Sequence, residues 1–486
     1  MSAGSVDSSM ATPPDLPLPD PPDRANPLDA PADGLVVASP ARRRPFLVGS
    51  PTLEVVGDEL DGVERATGEA GDLLRELRTG GGPCSNVLLG PRGLRRELVG
   101  PGGTVLETLL VADRRPGFVA QWAAPTEGGL ALDLRWRVPD ASAHRTSGSV
   151  VRVRGPRGPD RLFALVPGPG RWQMETGPEG LEVRARIVAD TGPVTLLAGT
   201  VERPDGGDRL LRCLARVSVL EARARRHLER VRTELLATRT GVAEVDDGLA
   251  WAVARITDAH PRRAEPEGLD RLWLVAGLLS AGDHVGALRW LESPPTHPGD
   301  VLALGWWMKW TGDAGPVRAH RDAVRRVLEG PGPLTPFPSA IGSAARREWT
   351  DALEAVEGRR TDGAPEPATR TPGPVTLPMV GGSAPGDVDA TVLDAVVGEV
   401  GGRTRSPIRD GGSDALRAWS LYNLGRPDEA YLPFRDHLAR GTRSSAGLWA
   451  GRGTASEGRP TDGPGHTHDP VAAALVPAVL LLGLLG

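Results

Sequence analysis

The feature that most constrains this chain is a change of hydrophobic period near Asp208. Upstream, apolar residues come in short runs broken by Gly, Pro, Asn and Asp; downstream, they recur at helical spacing. From Leu130 to Val138 (LALDLRWRV), Leu130, Leu132, Leu134, Trp136 and Val138 share one face at a period of two, as in a strand with one buried side. Comparable runs are Phe46–Val48, Thr52–Val56, Ser85–Leu89, Val105–Val111 and Val150–Arg154. Many short strands between turn residues predict an antiparallel β-sandwich over 45–207. From Arg209 to Thr238 no Gly or Pro interrupts an Arg-studded amphipathic pattern, which predicts one long connector helix within 208–240. After Gly241 the spacing stays helical. It predicts helices near 242–258, 268–281, 283–292, 299–311, 314–329, 342–357, 387–400, 412–424, 426–439 and 469–485. The expected fold is therefore multidomain, β then α, with stacked helical hairpins over 241–486 and a Pro/Gly/Thr-rich loop insertion at 359–386.

Composition closes off several function classes. The chain has 486 residues, more than one domain usually needs, so two folded parts plus tails is the natural division. The only lysine is Lys309, so a Gly-Lys-Ser/Thr phosphate loop is excluded. A net charge of -5 predicts no nucleic-acid surface. Cys84 and Cys213 form neither a CxxC pair nor a zinc spacing, and two thiols in so long a chain suit a reducing, cytoplasmic setting. Residues 1–44 are expected to be a disordered, Pro-rich tail, and 1–34 lack the apolar core of a signal peptide. The last sixteen residues, Val471–Gly486, are strongly apolar but shorter than the ~20 needed to span a bilayer. They predict a buried helix and no membrane partner.

Several motifs in the helical half resemble those of six-hairpin (α/α)6-barrel glycosidases, the amylo-α-1,6-glucosidase and glycogen-debranching type. They are Ala281-Gly282-Asp283 with Ala287 and Leu291, then Trp310-Thr311-Gly312-Asp313, then Val324–Glu329, Trp349-Thr350-Asp351-Ala352, Asp414–Gly441, Gly447-Leu448-Trp449 and His468-Asp469-Pro470. The resemblance implies a C-terminal α/α toroid behind a β-sandwich, and a carbohydrate partner. The ten helices expected fall short of the family's twelve, so the implied toroid is incomplete. Leu424–Ala430 (LGRPDEA) is also similar to TPR-like repeats, which leaves a helical protein-interaction module open as another reading.

Inverting glycoside hydrolysis needs one protonated carboxyl and one carboxylate that activates water. By resemblance Asp351 is the acid candidate. Glu457 and Asp462, in the Gly-rich loop Gly451–Gly465, are the base candidates. The family often places an acidic residue directly after its late Leu-Trp, and here that position is Ala450. The departure keeps open a catalytically inactive, carbohydrate-binding relative. Trp faces stack on sugar rings, so Trp349 and Trp449, near expected loop mouths, are the substrate-stacking candidates. Trp306, Trp307 and Trp310 lie at helical spacing and are expected in the core. His466 and His468 point the same way in an extended segment but have no third ligand, so no metal site is expected; His468 is a pocket candidate. Asp469 before Pro470 suits a helix N-cap. Gly-x-Ser-x-Gly, His-Glu-x-x-His and strand-borne Gly-x-Gly-x-x-Gly motifs are absent, and no cofactor is expected.

Overall fold

The computed structural model describes residues 37–330, with short gaps, together with 413–443, 450–452 and 466–480. Trp349 and Asp351 and the helices expected at 342–357 and 387–400 lie outside the described residues. So does the loop insertion at 359–386.

The front half is an antiparallel β-sandwich of two sheets. The larger sheet runs in the order β1 (Val37–Pro40), β6 (Cys84–Leu89), β7 (Gly93–Gly100), β8 (Gly103–Val111), β9 (Gly117–Ala123), β16 (Val194–Val201), β13 (Asp160–Val166), β12 (Val150–Arg154), β11 (Ala143–Ser147). The smaller runs β14 (Trp172–Gly177), β15 (Gly180–Ala189), β10 (Leu130–Val138), β5 (Gly71–Thr79), β4 (Gly62–Gly68), β3 (Leu53–Asp58), β2 (Pro45–Ser50). The alternation expected in Leu130–Val138 is present: Leu130, Leu132, Leu134, Trp136 and Val138 are all buried, and Ala131, Asp133 and Arg135 are exposed. By contrast β9 and β16 are buried along their whole length. They are neighbours at the middle of the larger sheet, and their near-continuous apolar sequence reflects that position. Strand β1 lies inside the stretch expected to be a tail; Val37–Pro40 pairs with Leu89–Asn86 and forms the sheet edge.

The connector is two helices, not one. Helix α1 (Gly207–Leu214) ends where the Ala215 N–H bonds to the Leu211 carbonyl, and α2 (Val217–Thr233) begins two residues later. The break follows from packing. Leu210, Leu211 and Leu214 are buried with Leu162, Ala164 and Leu197 of the sandwich, and Val217 and Leu220 join the same cluster from the next helix. The chain divides into two compact units, built around Val48–Ala224 and Arg225–Gly486, with the division inside α2.

The helical unit continues with α3 (Ala243–Asp258), α4 (Leu269–Ser280), α5 (His284–Trp290), α6 (Pro298–Thr311), α7 (Gly315–Ala319) and α8 (Arg321–Glu329). Beyond the undescribed stretch come α9 (Ser413–Asn423), α10 (Pro427–Arg443), the short strands β17 (Ala450–Arg452) and β18 (His466–His468), and α11 (Pro470–Val479). The described part of the apolar C-terminal run is a buried helix: Ala472 to Val476 are fully buried. Helix α11 packs on α3 and α4, and α10 also packs on α3, so the last described helices return to the first. Gly277 makes the closest approach. A Cβ there would lie 2.4 Å from the Ala474 carbonyl oxygen, so α4 and α11 meet at a distance only glycine permits. Among the described residues no helix is long and apolar enough to cross a membrane.

Candidate functional site

The expected site residues fall in two stretches of sequence, one after α8 and one between α10 and α11. Trp449, Glu457 and Asp462, like Asp351 and Trp349, lie outside the described residues. Their flanks are described. β17 and β18 form a two-stranded antiparallel ribbon in which Ala450 pairs with His468, Gly451 with Thr467 and Arg452 with His466. The ribbon therefore sets the residue after Trp449 opposite His468, and it closes the 453–465 loop that carries Glu457 and Asp462. Chain leaving at Arg452 returns at His466, its direct partner, about 5 Å away. The extended conformation expected for His466–His468 is present. Pro470 opens α11, as expected; Asp469 is outside the described residues.

The base of this ribbon is anchored. In α10, His437 is fully buried, and its Nε2 lies 2.8 Å from the Ala472 carbonyl oxygen in the first turn of α11. A carbonyl only accepts, so Nε2 carries the proton. Helix α11 continues into the contact at Gly277. Helix α11, which follows the ribbon, is buried from Val471 to Leu480.

Those motifs of the resemblance that lie among the described residues shape helix ends. Gly282, Gly312 and Gly425 all adopt positive φ (80°, 73° and 71°) and end helices in the left-handed conformation. Asp283 caps α5, its Oδ1 accepting from the Gly286 N–H at 3.1 Å. Asp313 accepts from the Gly315 N–H at 2.8 Å with one oxygen and from the Trp307 indole N–H at 3.3 Å with the other. The turn of LGRPDEA is closed by Gly425 N–H to the Tyr422 carbonyl and Arg426 N–H to the Leu421 carbonyl, a doubly bonded helix stop. Asp300, almost wholly buried, accepts from the backbone N–H groups of Gly268, Thr296 and His297, while His297 Nδ1 accepts from Gly299. These carboxylates are occupied by backbone donors at helix starts, where N–H groups have no partner within the helix. They set helix ends and are not placed to move protons.

Two arrangements had no local signal in the sequence. His227 of α2 and Asp258 at the end of α3 form a buried pair, Nε2 to Oδ2 3.3 Å, between residues 31 positions apart. Trp273, Trp306 and Trp419, from α4, α6 and α9, meet edge to face with ring centroids 5.5 and 6.4 Å from the shared Trp273. Trp306 and Trp307 are buried, as expected, and Trp310 is half-buried. Among the described residues no three His, Cys, Asp or Glu side chains converge as a metal site would require. Cys84 and Cys213 are both free.

Fold and site together define a chain with an antiparallel β-sandwich followed by a helical unit whose last helices close on its first. No family model and no curated protein matches the chain. Among solved structures it is similar to a family GH92 alpha-mannosidase from Bacteroides thetaiotaomicron, with TM-score 0.47 and 11% identity over 92% of this chain and 80% of that one. The same mannosidase in complex with mannoimidazole gives TM-score 0.44 and 11% identity over 81% and 70%. A family GH92 inverting mannosidase from the same bacterium gives 0.31 and 11% over 83% and 60%. At that identity no residue of these enzymes transfers to a position in this chain.

Proposed function

We propose that the chain is a carbohydrate-binding protein of the six-hairpin glycosidase type, taking an α-linked glucan or oligosaccharide at the loops that follow α8 and α10. Trp349 and Trp449 stack on the sugar and His468 lines the pocket. Hydrolysis, where it occurs, is inverting: Asp351 protonates the leaving oxygen, and Glu457 or Asp462 activates water across a gap of ~6.5–9.5 Å. The cytoplasm is the proposed compartment.

The observation that carries the reading is the return of α10 and α11 to α3 and α4. In a helical repeat array each unit touches only its sequence neighbours. Contact between helices some two hundred residues apart disfavours an open TPR-like superhelix and supports a closed arrangement of hairpins. The ribbon adds to it, since Ala450 and His468 are cross-strand partners at the root of the loop that holds Glu457 and Asp462. Ala450 itself supplies no carboxylate, which favours binding over turnover.

Calorimetry against a panel of α-glucans and α-mannosides, with product analysis on the same samples, tests the proposal. Binding that weakens at least about tenfold in Trp449→Ala supports it, that factor corresponding to ~1.4 kcal/mol of lost stacking. Product formation abolished by Asp351→Asn assigns the acid; binding without product identifies an inactive relative. Absence of binding to every sugar sinks the carbohydrate reading.

A further inference from the structure

The two edges of the smaller sheet differ. At one edge, β2 is buried from Phe46 to Ser50. At the other, no residue of β14 is buried, and in the larger sheet the edge strand β11 is exposed along its whole length. Three contacts between the sheets fix what faces what at this open end. The Trp172 indole N–H donates to the Gly148 carbonyl at 2.9 Å. The rings of Trp136 and Phe163 lie 5.5 Å apart, centroid to centroid. Arg161 donates through Nη1 to the carbonyl of Pro139, next to Val138.

Strand pairing carries each contact out to the edge. Trp136 pairs with Val183 and Val183 with Met174; Phe163 pairs with Val151 and Val151 with Thr146. Met174 therefore falls opposite Thr146. Val138 pairs with Leu181 and Leu181 with Thr176; Arg161 pairs with Val153 and Val153 with His144. Thr176 therefore falls opposite His144. Partners across antiparallel strands point to the same face, so these four side chains share the inward side with the buried Val183, Val151, Leu181 and Val153. Packed sheets stand about 10 Å apart. The last strands thus wall a groove, with Met174 and Thr176 on one side, Thr146 and His144 on the other, and Trp172 closing one end.

Trp172 is half-buried and held on two sides. Its N–H is spent on Gly148, and it meets the fully buried Trp136 edge to face, with centroids 6.1 Å apart at 88°. What it has left to offer is a rigid apolar ring. Beside it stand the hydroxyls of Thr146 and Thr176 and the imidazole of His144, all exposed. The charged neighbours Arg145 and Glu175 alternate onto the outer faces, where they pair with Arg152 and Glu182. An aromatic plate flanked by groups without fixed charge suits a ligand with an apolar face and a rim of hydroxyls, and it gives a polyanion nothing to pair with. We propose that this groove is a second carbohydrate site, which takes a neutral sugar ring against Trp172. It shares no residue with the loops after α8 and α10, and its ligand class rests in part on the carbohydrate reading above.

Affinity electrophoresis of the full-length protein tests the site. The probes are amylopectin and a soluble α-mannan, with polygalacturonate as their charged counterpart. At least one neutral polymer should retard the protein, and Trp172→Ala should raise that dissociation constant at least about tenfold. Thr146→Glu with Thr176→Glu puts charge into the groove at two exposed positions and leaves Trp172 in place. It should give the same loss, and circular dichroism with a melting curve checks that each variant is folded. Should Trp172→Ala fail to fold, the double variant decides. Retardation unchanged in a folded variant of either kind, or absent with both neutral polymers, overturns the proposal. Stronger retardation by polygalacturonate than by the neutral polymers also overturns it. Binding that survives Trp449→Ala and is lost in Trp172→Ala sustains the groove and removes the loop site proposed above. Binding lost in Trp449→Ala and kept in Trp172→Ala removes the groove and leaves the loop site standing.

Discussion

The two halves of the molecule bury charge in different ways. In the sandwich, Arg96 and Glu107 on β7 and β8 are each about 3% exposed and form an ion pair, with the Trp122 indole N–H bonded to the second Glu107 oxygen at 3.1 Å and Arg96 Nη1 reaching the Glu59 carbonyl at 3.1 Å. In the helical unit, the buried carboxylates Asp283 and Asp300 are met mainly by backbone N–H groups. The secondary structure explains the difference. Strands inside a sheet spend most backbone groups on neighbouring strands, so the buried Glu107 carboxylate finds a side-chain counter-charge in Arg96. Helices leave four N–H groups free at every start, so a carboxylate there takes its short hydrogen bonds from the backbone, and its cations stand farther off: Arg230 is 3.5 Å from Asp283 and Arg271 3.5 Å from Asp300. Helix ends can therefore hold acidic residues of motifs that resemble the glycosidases, as Asp283 does.

This contrast can be broken by substitution. The largest effect is expected at Arg96. Arg96→Met leaves Glu107 buried without its cation and should cost about 3–5 kcal/mol in urea unfolding. Arg96→Met with Glu107→Gln removes both charges yet keeps an acceptor for Trp122, and should recover at least about half of that loss. If the double variant is no more stable than the single, the pair is not what holds this part of the sandwich.

On the helical side, Asp300→Ala should cost about 2–3 kcal/mol, because several buried N–H donors lose their acceptor together. Asp300→Asn, which retains one carbonyl oxygen, should lose less. Equal losses would mean that the charge, and not the acceptor geometry, matters there, which would erase the distinction from the sandwich. Gly277→Ala tests the helix contact itself: the new methyl meets the Ala474 backbone and should cost about 1–3 kcal/mol by thermal denaturation, with the melting temperature lowered.

The smallest effect is a pH dependence confined to the sandwich. Burial pushes the Asp160 carboxyl up, but hydrogen bonds from Arg154 and Arg152, aided by their charges, outweigh it and hold the group below the ordinary Asp value. A depressed folded value means the stabilisation is complete above about pH 4, the ordinary Asp range, and is lost as pH falls through the lower folded value. Asp160→Asn should therefore be less stable than the parent near neutrality, and the gap should narrow in acid titrations of the melting temperature. A gap constant down to pH 2 would remove Asp160 from the acid response.

Much of the architecture was legible as local pattern. Leu130–Val138 announced its strand because alternation is imposed by the pleat, and Gly282-Asp283 and Gly312-Asp313 announced helix boundaries because positive φ and orphan N–H groups call for those residue types. The connector was read as one helix because nothing local marks Ala215-Arg216 as a stop. The tail was drawn too long because β1 is held by pairing with β6, a partner more than forty residues away.

The site was less legible for the same reason. Among the described residues, Asp283 and Asp313 of the glycosidase-like motifs lie in helix turns and accept backbone N–H groups there, and capping and catalysis use the same side chains. By itself the sequence determined the β-then-α division, the faces that face inward and most helix ends, since these follow from period, propensity and turn chemistry acting over a few residues. Only the tertiary structure decided that β9 lies beside β16, that His227 meets Asp258, that Ala450 faces His468, and that α11 returns to α3 and α4. Those relations join segments that share no local signal, and their energy comes from burial and pairing that exist only once the chain has folded back on itself.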